Sequence, residues 1–377
     1  LKPVIIFKLT YLVPLSLTPV ICYMLARKLI PYRYSFISSI FFISQSQFLF
    51  QNLAFRTYLS VFFFSLAFLL FNSKTNLIKK KSIFLILLFS GIVSHYSNTI
   101  IIFIVFLILF IVFFLINYLY KNDKPVMINN VDKDFKISSY SIVLYFCLIF
   151  LWYAQITENA FNNITHFLLN TGYQLTQFFI MESRAPIVLA ALGRTLDSSE
   201  TPIITYIIFI IRWLSILFIA TGIIFKFLNL FRPITSKCNL MKKSCNETVL
   251  VLLSTICACL FGLAVITPYI FKGYSLGRTF YQMNVLLSIF FSIGGILIAD
   301  HFKFSQKYKR LLILSILIIY FSNSLGLLYE LNERPSSWIL NSPKFINDFL
   351  YIYDTEEISA AWMNKFADSN ATILVDN

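Results

Sequence analysis

The sequence predicts an all-α fold, a polytopic transmembrane helical bundle of about ten spans, and three observations carry this prediction. Of the 377 residues, 58% are hydrophobic and only 13% are charged. A soluble domain typically has about 45–50% apolar and about 25% charged residues. The mean hydropathy is +0.77. The apolar residues also come in blocks of about 20, which is the length of helix that crosses about 30 Å of hydrocarbon.

Ten apolar segments are predicted to form the spans. They are residues 4–26, 35–55, 57–73, 82–95, 98–120, 138–154, 203–225, 248–270, 281–299 and 311–329. The second is rich in serine and glutamine, so it is expected to face other helices or a water-filled cavity. The expected organisation is a transmembrane domain at 1–329 with a long extracytoplasmic loop at 155–202. Residues 330–377 are expected to begin a truncated extracytoplasmic α/β domain.

The basic residues predict the orientation of these spans. Alternate connections together carry 20 of the 31 Lys and Arg residues but only five of the 17 acidic residues. An excess of Lys and Arg in short loops marks the cytoplasmic face. Both chain ends and the long loop are therefore expected on the outer side of a plasma membrane, in contact with its lipids. The stretch at 167–192 mixes apolar and polar residues and is expected to form short helices in the membrane interface.

Charge and cysteine placement exclude two classes of function. The net charge of +14 lies in short runs between apolar blocks, which is not the basic soluble face of a nucleic-acid-binding protein. The six cysteines include no CxxC pair, and four of them lie in apolar blocks. Their spacing predicts neither a disulfide framework nor a metal site.

Basic side chains at predicted outer span ends are the candidates for binding a phosphate group. Arg56 lies between the second and third spans, His95 in a polar turn between the fourth and fifth, and Arg278 with Tyr281 at the start of the ninth. The planar guanidinium of arginine binds phosphate oxygens through two hydrogen bonds. The competing interpretation is that these side chains extend to lipid headgroups or stabilise a turn.

Further charged residues are weaker candidates. Arg212 lies about 14 Å into the seventh span, where a charge is costly and is expected to face the bundle interior, a cavity or a ligand. The long loop adds Arg184 and Arg194. Its carboxylates Glu158 and Glu182 are the nearest candidates for acid or base catalysis, although neither belongs to a paired motif and a solvated position in the loop is the stronger interpretation for each.

Four short segments resemble parts of the GT-C class of membrane glycosyltransferases and, more narrowly, a group of archaeal membrane proteins within it. They are residues 51–56 (QNLAFR), 93–97 (VSHYS), 278–281 (RTFY) and 360–363 (AAWM). The last segment, followed by 371–376 (ATILVD), looks like a helix that leads into the first strand of an extracytoplasmic domain. The resemblance covers most of the chain in architecture.

The resemblance implies transfer of a sugar from a polyprenyl-phosphate donor to a glycan or protein acceptor at the outer face. Arg278, Arg56 and His95 would then stabilise the departing lipid phosphate. The class places a catalytic acid in its first outer loop, and nothing here matches that motif, so the chain is expected to be a fragment that lacks this residue. No cofactor is certain; a divalent cation beside the phosphate is compatible with the resemblance, but no ligand cluster for it is visible.

Two other functions remain open at this stage. A lipid-linked oligosaccharide polymerase or ligase also combines many spans, one long outer loop and outer Arg and His residues. A transporter or flippase would show inverted repeats and broken helices. The polar second segment suits such a protein, but no two matching halves are detectable.

Overall fold

The computed structural model describes nine parts of the chain, and all of their regular structure is helical. The described residues are 3–49, 55–71, 77–119, 139–156, 159–194, 203–231, 247–273, 275–330 and 354–366. They divide into two compact units, residues 1–324 and 325–377. The predicted division at 329/330 into a transmembrane domain and an extracytoplasmic domain stays a prediction.

The first unit contains fourteen α-helices among its described residues. They are α1 (Pro3–Ala26), α2 (Tyr32–Ile43), α3 (Ser46–Leu49), α4 (Phe55–Phe71), α5 (Leu77–Ser94), α6 (Tyr96–Leu119), α7 (Ser139–Phe150), α8 (Asn159–Gln174), α9 (Pro186–Ala191), α10 (Ile203–Phe231), α11 (Glu247–Ile266), α12 (Ile270–Gly273), α13 (Leu276–His301) and α14 (Gln306–Ser324). A π-helix, Leu151–Ile156, continues α7. Two 3₁₀ turns, Leu175–Gln177 and Met181–Ser183, lie between α8 and α9.

The second unit contains α15 (Leu327–Glu330) and α16 (Asp354–Phe366) among its described residues. The predicted helix at 360–363 lies within α16. The predicted strand at 373–375 lies outside the described residues. The helical part of the expected helix–strand junction is therefore present, and the α/β domain stays a prediction.

Among the described residues, four helices are long and apolar enough to cross a membrane: Tyr96–Ile116, Ile203–Leu230, Glu247–Ile266 and Leu276–His301. Shorter apolar helices accompany them at Val13–Ala26, Phe55–Leu70 and Tyr140–Ile156. The protein is thus a multi-pass helical membrane protein. The count of ten spans stays a prediction.

The predicted span at 35–55 is not one continuous helix. α2 ends at Ile43, and the short α3 begins at Ser46. At the end of α2 the hydroxyl of Ser44 donates to the carbonyl of Ile40, and the side-chain amide of Gln45 donates to the carbonyl of Phe41. Serine side chains compete for backbone partners in this way, and such bonds are common where a helix ends or bends.

α13 forms the centre of the first unit. In its most apolar stretch of 18 residues 89% is buried, whereas in the corresponding stretch of α6 only 28% is buried. It packs against α10, α2, α11 and α14. The contact with α10 is close because Gly222 faces Gly294, and a Cβ on Gly294 would lie 1.7 Å from the carbonyl oxygen of Phe218. Small residues permit such close backbone approach between membrane helices. α13 therefore holds a fixed position among its neighbours.

Ion pairs join the hairpins at the end of the bundle where α13 finishes. Lys226 near the end of α10 pairs with Glu247 at the start of α11, and both are buried. Asp300 at the end of α13 pairs with Lys309 at the start of α14. The opposite end of the bundle carries the start of α13.

Candidate functional site

The starts of α4, α6 and α13 lie side by side and are joined by two buried hydrogen bonds. The side-chain amide of Asn98 donates to the carbonyl of Thr57 at 3.1 Å, and the side-chain amide of Gln282 donates to the carbonyl of Asn98 at 2.9 Å. All three residues are buried. Because buried amides are costly without partners, these bonds fix the three helix starts relative to one another. We call Thr57, Asn98 and Gln282 the helix-start relay.

Three of the predicted phosphate-binding residues lie beside this relay. Arg56, His95 and Arg278 precede its members by one, three and four positions. Burial of the His95 ring, followed by the positive charges of Arg278 and Arg56, lowers the pKa of its imidazole to about 4. Both guanidinium groups therefore act on one imidazole, although the three residues come from distant parts of the chain. We call these three residues the Arg–His cluster.

The hydrogen bonds of His95 favour one tautomer. The backbone N–H of Asn98 points to Nδ1 of the imidazole at 3.5 Å, and the hydroxyl of Ser97 lies 3.0 Å from the same nitrogen. A backbone N–H can only donate, so Nδ1 is the acceptor and the proton of the neutral ring is on Nε2. His95 therefore offers one neutral N–H donor near pH 7, and the positive charge of the cluster comes from the two arginines.

The helix starts themselves favour an anion at this position. Each α-helix carries positive partial charge and unpaired N–H groups at its N-terminus. In α13 the hydroxyl of Ser275 caps the helix by accepting from the backbone N–H of Arg278 at 3.5 Å. Arg56 is exposed and Arg278 is partly exposed. Two arginines, a neutral N–H donor and helix N-termini form an arrangement that suits a phosphate group.

Tyr281 lies in the core beneath the Arg–His cluster. Its ring is fully buried and contacts the rings of Phe42, Phe48 and Tyr58. The hydroxyl of Tyr58 donates to the carbonyl of Gln47. These contacts give Tyr281 a packing role in holding α13 against α2 and α4, and its predicted contact with a lipid donor stays a prediction.

Gly277 provides the close packing that the start of α13 requires. A Cβ at this position would lie 2.6 Å from the side-chain nitrogen of Gln47, so any larger residue here requires that side chain to move. Gln47 of α3 therefore lies directly against the residue that precedes Arg278.

Arg212 lies with a different group of residues. It is exposed on α10, and its charge acts on the phenol of Tyr320 in α14. The hydroxyl of Tyr320 donates to the side-chain oxygen of Gln45 at 2.9 Å. The charge of Arg212 thus acts on the part of the bundle around Tyr320, and its predicted contact with a ligand stays a prediction.

Arg184 of the long loop is a buried structural residue. Its guanidinium donates to the carbonyls of Ile266 (2.6 and 3.1 Å), Phe178 (3.0 Å) and Ile180 (3.2 Å). Ile266 is the last residue of α11, and the final carbonyls of a helix have no partner within the helix. Arg184 supplies those partners and fastens the long loop to α11.

The fastened loop packs beside the start of α13. Ala185 and Val188 are buried with Phe271, and Leu276 packs against the same small core. Leu276 is the first residue of α13, two positions before Arg278. The loop is thus held next to the helix start that contributes to the Arg–His cluster.

The predicted catalytic carboxylates are not part of the cluster as described. Glu182 and Arg194 are both exposed and lie 3.8 Å apart, a distance at which an exposed pair adds little stability. Glu158 lies outside the described residues. Within the described residues no group of three His, Cys, Asp or Glu side chains could hold a metal ion.

Sequence reasoning missed the helix-start relay and the aromatic contacts of His95. Polar residues at the starts of apolar helices were visible, since Asn98 follows the polar turn and Gln282 follows Tyr281. Periodicity predicts which face of a helix is buried, but it does not identify the partner of a buried amide. The relay could only be found from the packing of three distant segments.

A family model described as "Predicted membrane protein (DUF2206)" matches residues 80–377. The match includes His95 and Arg278, whereas Arg56 precedes it. No curated protein and no solved structure matches the chain.

Proposed function

We propose that this chain, which belongs to the DUF2206 family of predicted membrane proteins, is a membrane glycosyltransferase. In this proposal it binds a polyprenyl-phosphate-linked sugar at the Arg–His cluster. The acceptor is a glycan or a protein. The observation that carries this proposal is the convergence of Arg56, His95 and Arg278 beside three helix starts. Such a site recognises phosphate through charge, directed N–H donors and helix dipoles together.

The placement of the two ends of α13 supports an extracytoplasmic position for the cluster. Lys226 and Lys309 lie at the opposite end, in or beside the connections where Lys and Arg residues are concentrated. The positive-inside rule assigns that end to the cytoplasm. The Arg–His cluster then faces outward, and so does the long loop that Arg184 fastens next to it.

The proposed chemistry is stabilisation of the leaving phosphate. An acceptor hydroxyl oxygen forms a bond to the anomeric carbon of the sugar, and the bond from that carbon to the phosphate oxygen breaks. The bonding electrons pass to the phosphate oxygen, where negative charge increases in the transition state. The helix-start relay fixes the helix starts that carry Arg56, Arg278 and His95, so in the proposed mechanism these groups stabilise the charge with little reorganisation of the helices.

The proton of the acceptor hydroxyl must go to a base outside the cluster. The two arginines stay protonated, and the acceptor nitrogen of His95 is occupied by the N–H of Asn98. A carboxylate is the group expected for this role in the proposed mechanism. Of the two carboxylates predicted for this role, Glu182 lies among the described residues, where it pairs with Arg194 at 3.8 Å.

The experiment that tests this function follows transfer of a labelled sugar from polyprenyl phosphate in membranes that contain the protein. Arg278→Ala is expected to reduce transfer about 100-fold, the usual effect of removing one preorganised donor to a developing charge. Arg310→Ala is the matched control, since Arg310 is partly exposed near the start of α14 and donates to the carbonyl of Gln306 in its own helix. Equal activity in wild type and Arg278→Ala contradicts the proposal.

A lipid flippase is the second candidate, and the break between α2 and α3 favours it. Transporters place substrate sites at discontinuous helices, and here Gln47 of α3 packs against the start of α13. A flippase moves the polyprenyl-phosphate lipid between leaflets without breaking the sugar–phosphate bond. Reconstituted vesicles distinguish the two functions, since only the transferase releases the sugar from its lipid.

A further inference from the structure

An exposed aromatic ring stands directly beside the Arg–His cluster. The rings of His95 and Tyr96 are stacked, with centroids 5.4 Å apart and planes 7° from parallel. The ring of Tyr153 meets Tyr96 nearly edge to face, at 6.3 Å and 77°. Both geometries are favourable for aromatic pairs. Tyr96 is therefore held by two rings, one of which belongs to the cluster.

The ring of Tyr153 is itself fixed. It is buried within the π-helix Leu151–Ile156, and its hydroxyl donates to the carbonyl of Ile92 in α5. Short π-helical segments inside helices frequently occur at functional sites, because the extra residue changes the direction of the side chains. Here the π-helix continues α7 and directs Tyr153 towards Tyr96.

Tyr96 nevertheless remains accessible. About two-fifths of the residue (41%) is exposed, whereas Tyr153 is 5% exposed. Tyr96 is also the first residue of α6, so its position follows from the same helix start that the helix-start relay fixes. The result is a rigid, accessible ring next to a candidate phosphate site.

We propose that the exposed part of Tyr96 is the platform on which the sugar ring of the lipid donor stacks. The ring C–H groups of a hexopyranose form an apolar face that packs against an aromatic ring, while its hydroxyl groups stay in contact with water or polar side chains. A sugar linked to a phosphate at the Arg–His cluster lies one glycosidic bond away, which matches the adjacency of His95 and Tyr96. This inference rests on the proposed function.

Membrane anchoring is the alternative role for an exposed tyrosine at a span end, since Tyr and Trp are enriched at membrane interfaces. An anchoring residue affects every ligand of the protein equally. A sugar platform affects only ligands that carry the sugar. Loss of the Tyr96 ring therefore changes the ratio of the affinities for the sugar-bearing and the sugar-free lipid if Tyr96 is a sugar platform, and leaves that ratio unchanged if Tyr96 is an anchor.

The test measures binding of polyprenyl phosphate and of polyprenyl-phosphate hexose to the protein in lipid nanodiscs. Tyr96→Ala is expected to weaken binding of the hexose lipid about tenfold, as removal of one aromatic contact does, and to change binding of the sugar-free lipid less than about twofold. Tyr96→Phe is expected to keep wild-type affinity for both lipids. Tyr118→Ala is the matched control, because Tyr118 is exposed on the same helix but lies near its other end.

The outcomes separate this inference from the proposed function. If Tyr96→Ala leaves the ratio of the two affinities at its wild-type value, the sugar platform is wrong and the phosphate site stands. If the wild-type protein binds neither lipid, the proposed function fails and the platform fails with it. A thermal unfolding curve for each variant identifies misfolding. If Tyr96→Ala does not fold, Tyr96→Leu, which keeps a large apolar side chain without the aromatic ring, is measured instead and is expected to show the same selective loss of hexose-lipid binding.

Discussion

The side-chain amide of Gln282 donates a hydrogen bond of 2.9 Å to the backbone carbonyl of Asn98, a residue 184 positions earlier in the chain. Both residues are buried. This bond places the first turns of α13 against the start of α6, and Arg278 lies one helical turn before Gln282. The position of a candidate ligand-binding arginine thus depends on a neutral amide that contacts no solvent.

Gln282→Met is expected to destabilise the protein by about 1 kcal/mol, because it removes the donor to Asn98 and keeps the side-chain volume. Binding of polyprenyl phosphate is expected to weaken as well, since Arg278 loses its fixed position. Unfolding in detergent and lipid binding measure the two effects. The control is Gln177→Met in the exposed part of the long loop. Unchanged stability in Gln282→Met would show that the relay does not hold the helix starts.

Gly294→Ala is expected to destabilise the bundle strongly, by about 3 kcal/mol or more. The added Cβ would lie 1.7 Å from the carbonyl oxygen of Phe218, so α10 and α13 must move apart. Gly262→Ala is the matched control, because a Cβ there meets no atom within 4 Å and α11 gains from the better helix former. Thermal unfolding of both variants checks this, and equal melting temperatures would contradict the close packing.

His95 is expected to make the protein less stable as the pH falls from about 6.5 towards about 4. Burial and the charges of Arg278 and Arg56 lower the pKa of the folded imidazole to about 4, whereas an unfolded histidine has a pKa near 6.5. In that window the unfolded chain binds a proton that the folded chain does not, so acidification favours unfolding. Above pH 6.5 this contribution to stability is complete.

Comparison with His95→Gln checks the pH dependence. Glutamine keeps a neutral N–H donor but does not titrate, so the variant is expected to lose less melting temperature than wild type between pH 7 and pH 4.5. His95→Asp tests the electrostatics from the other direction. A carboxylate between Arg56 and Arg278 would pair with them and compete with phosphate, so lipid binding should fall by more than about tenfold. Parallel pH profiles for wild type and His95→Gln would contradict the assigned environment.

Arg184→Gln is expected to release the long loop from α11. The variant loses the bonds to Ile266 and Phe178 and leaves buried carbonyls unsatisfied. Faster hydrogen exchange at α9 and faster proteolysis between α8 and α10 are the measurable results. Arg194→Gln is the control, since Arg194 is exposed and pairs only loosely with Glu182. Equal protection in both variants would contradict the structural role of Arg184.

The helical class could be predicted from the sequence because apolar runs of span length have few other solutions in a membrane. The ends of the helices were less predictable. α13 begins at Leu276, five residues before the predicted start at 281, because Ser275 caps it and Gly277 permits packing against Gln47. Glycine and arginine in the first turn made this part of the helix resemble a loop.

The cluster was predictable in its residue types and not in its geometry. Arg56, His95 and Arg278 were selected because a phosphate site needs such donors at span ends. Their convergence depends on bonds between Asn98, Thr57 and Gln282, which no local pattern encodes. The opposite case is Arg184, whose residue type also suited a phosphate but whose guanidinium donates mainly to backbone carbonyls.

Direct binding of polyprenyl monophosphate is the measurement that tests the central claim most directly. Native mass spectrometry or a titration in nanodiscs would compare wild type with the double variant Arg56→Ala/Arg278→Ala and with the control Arg33→Ala/Arg310→Ala, which removes two arginines elsewhere. The proposal predicts a loss of affinity of about 100-fold or more in the first double variant, since each of the two charge-assisted bonds contributes about 1.5–3 kcal/mol, and no significant loss in the second. Equal affinities in all three proteins would contradict a phosphate site at the Arg–His cluster.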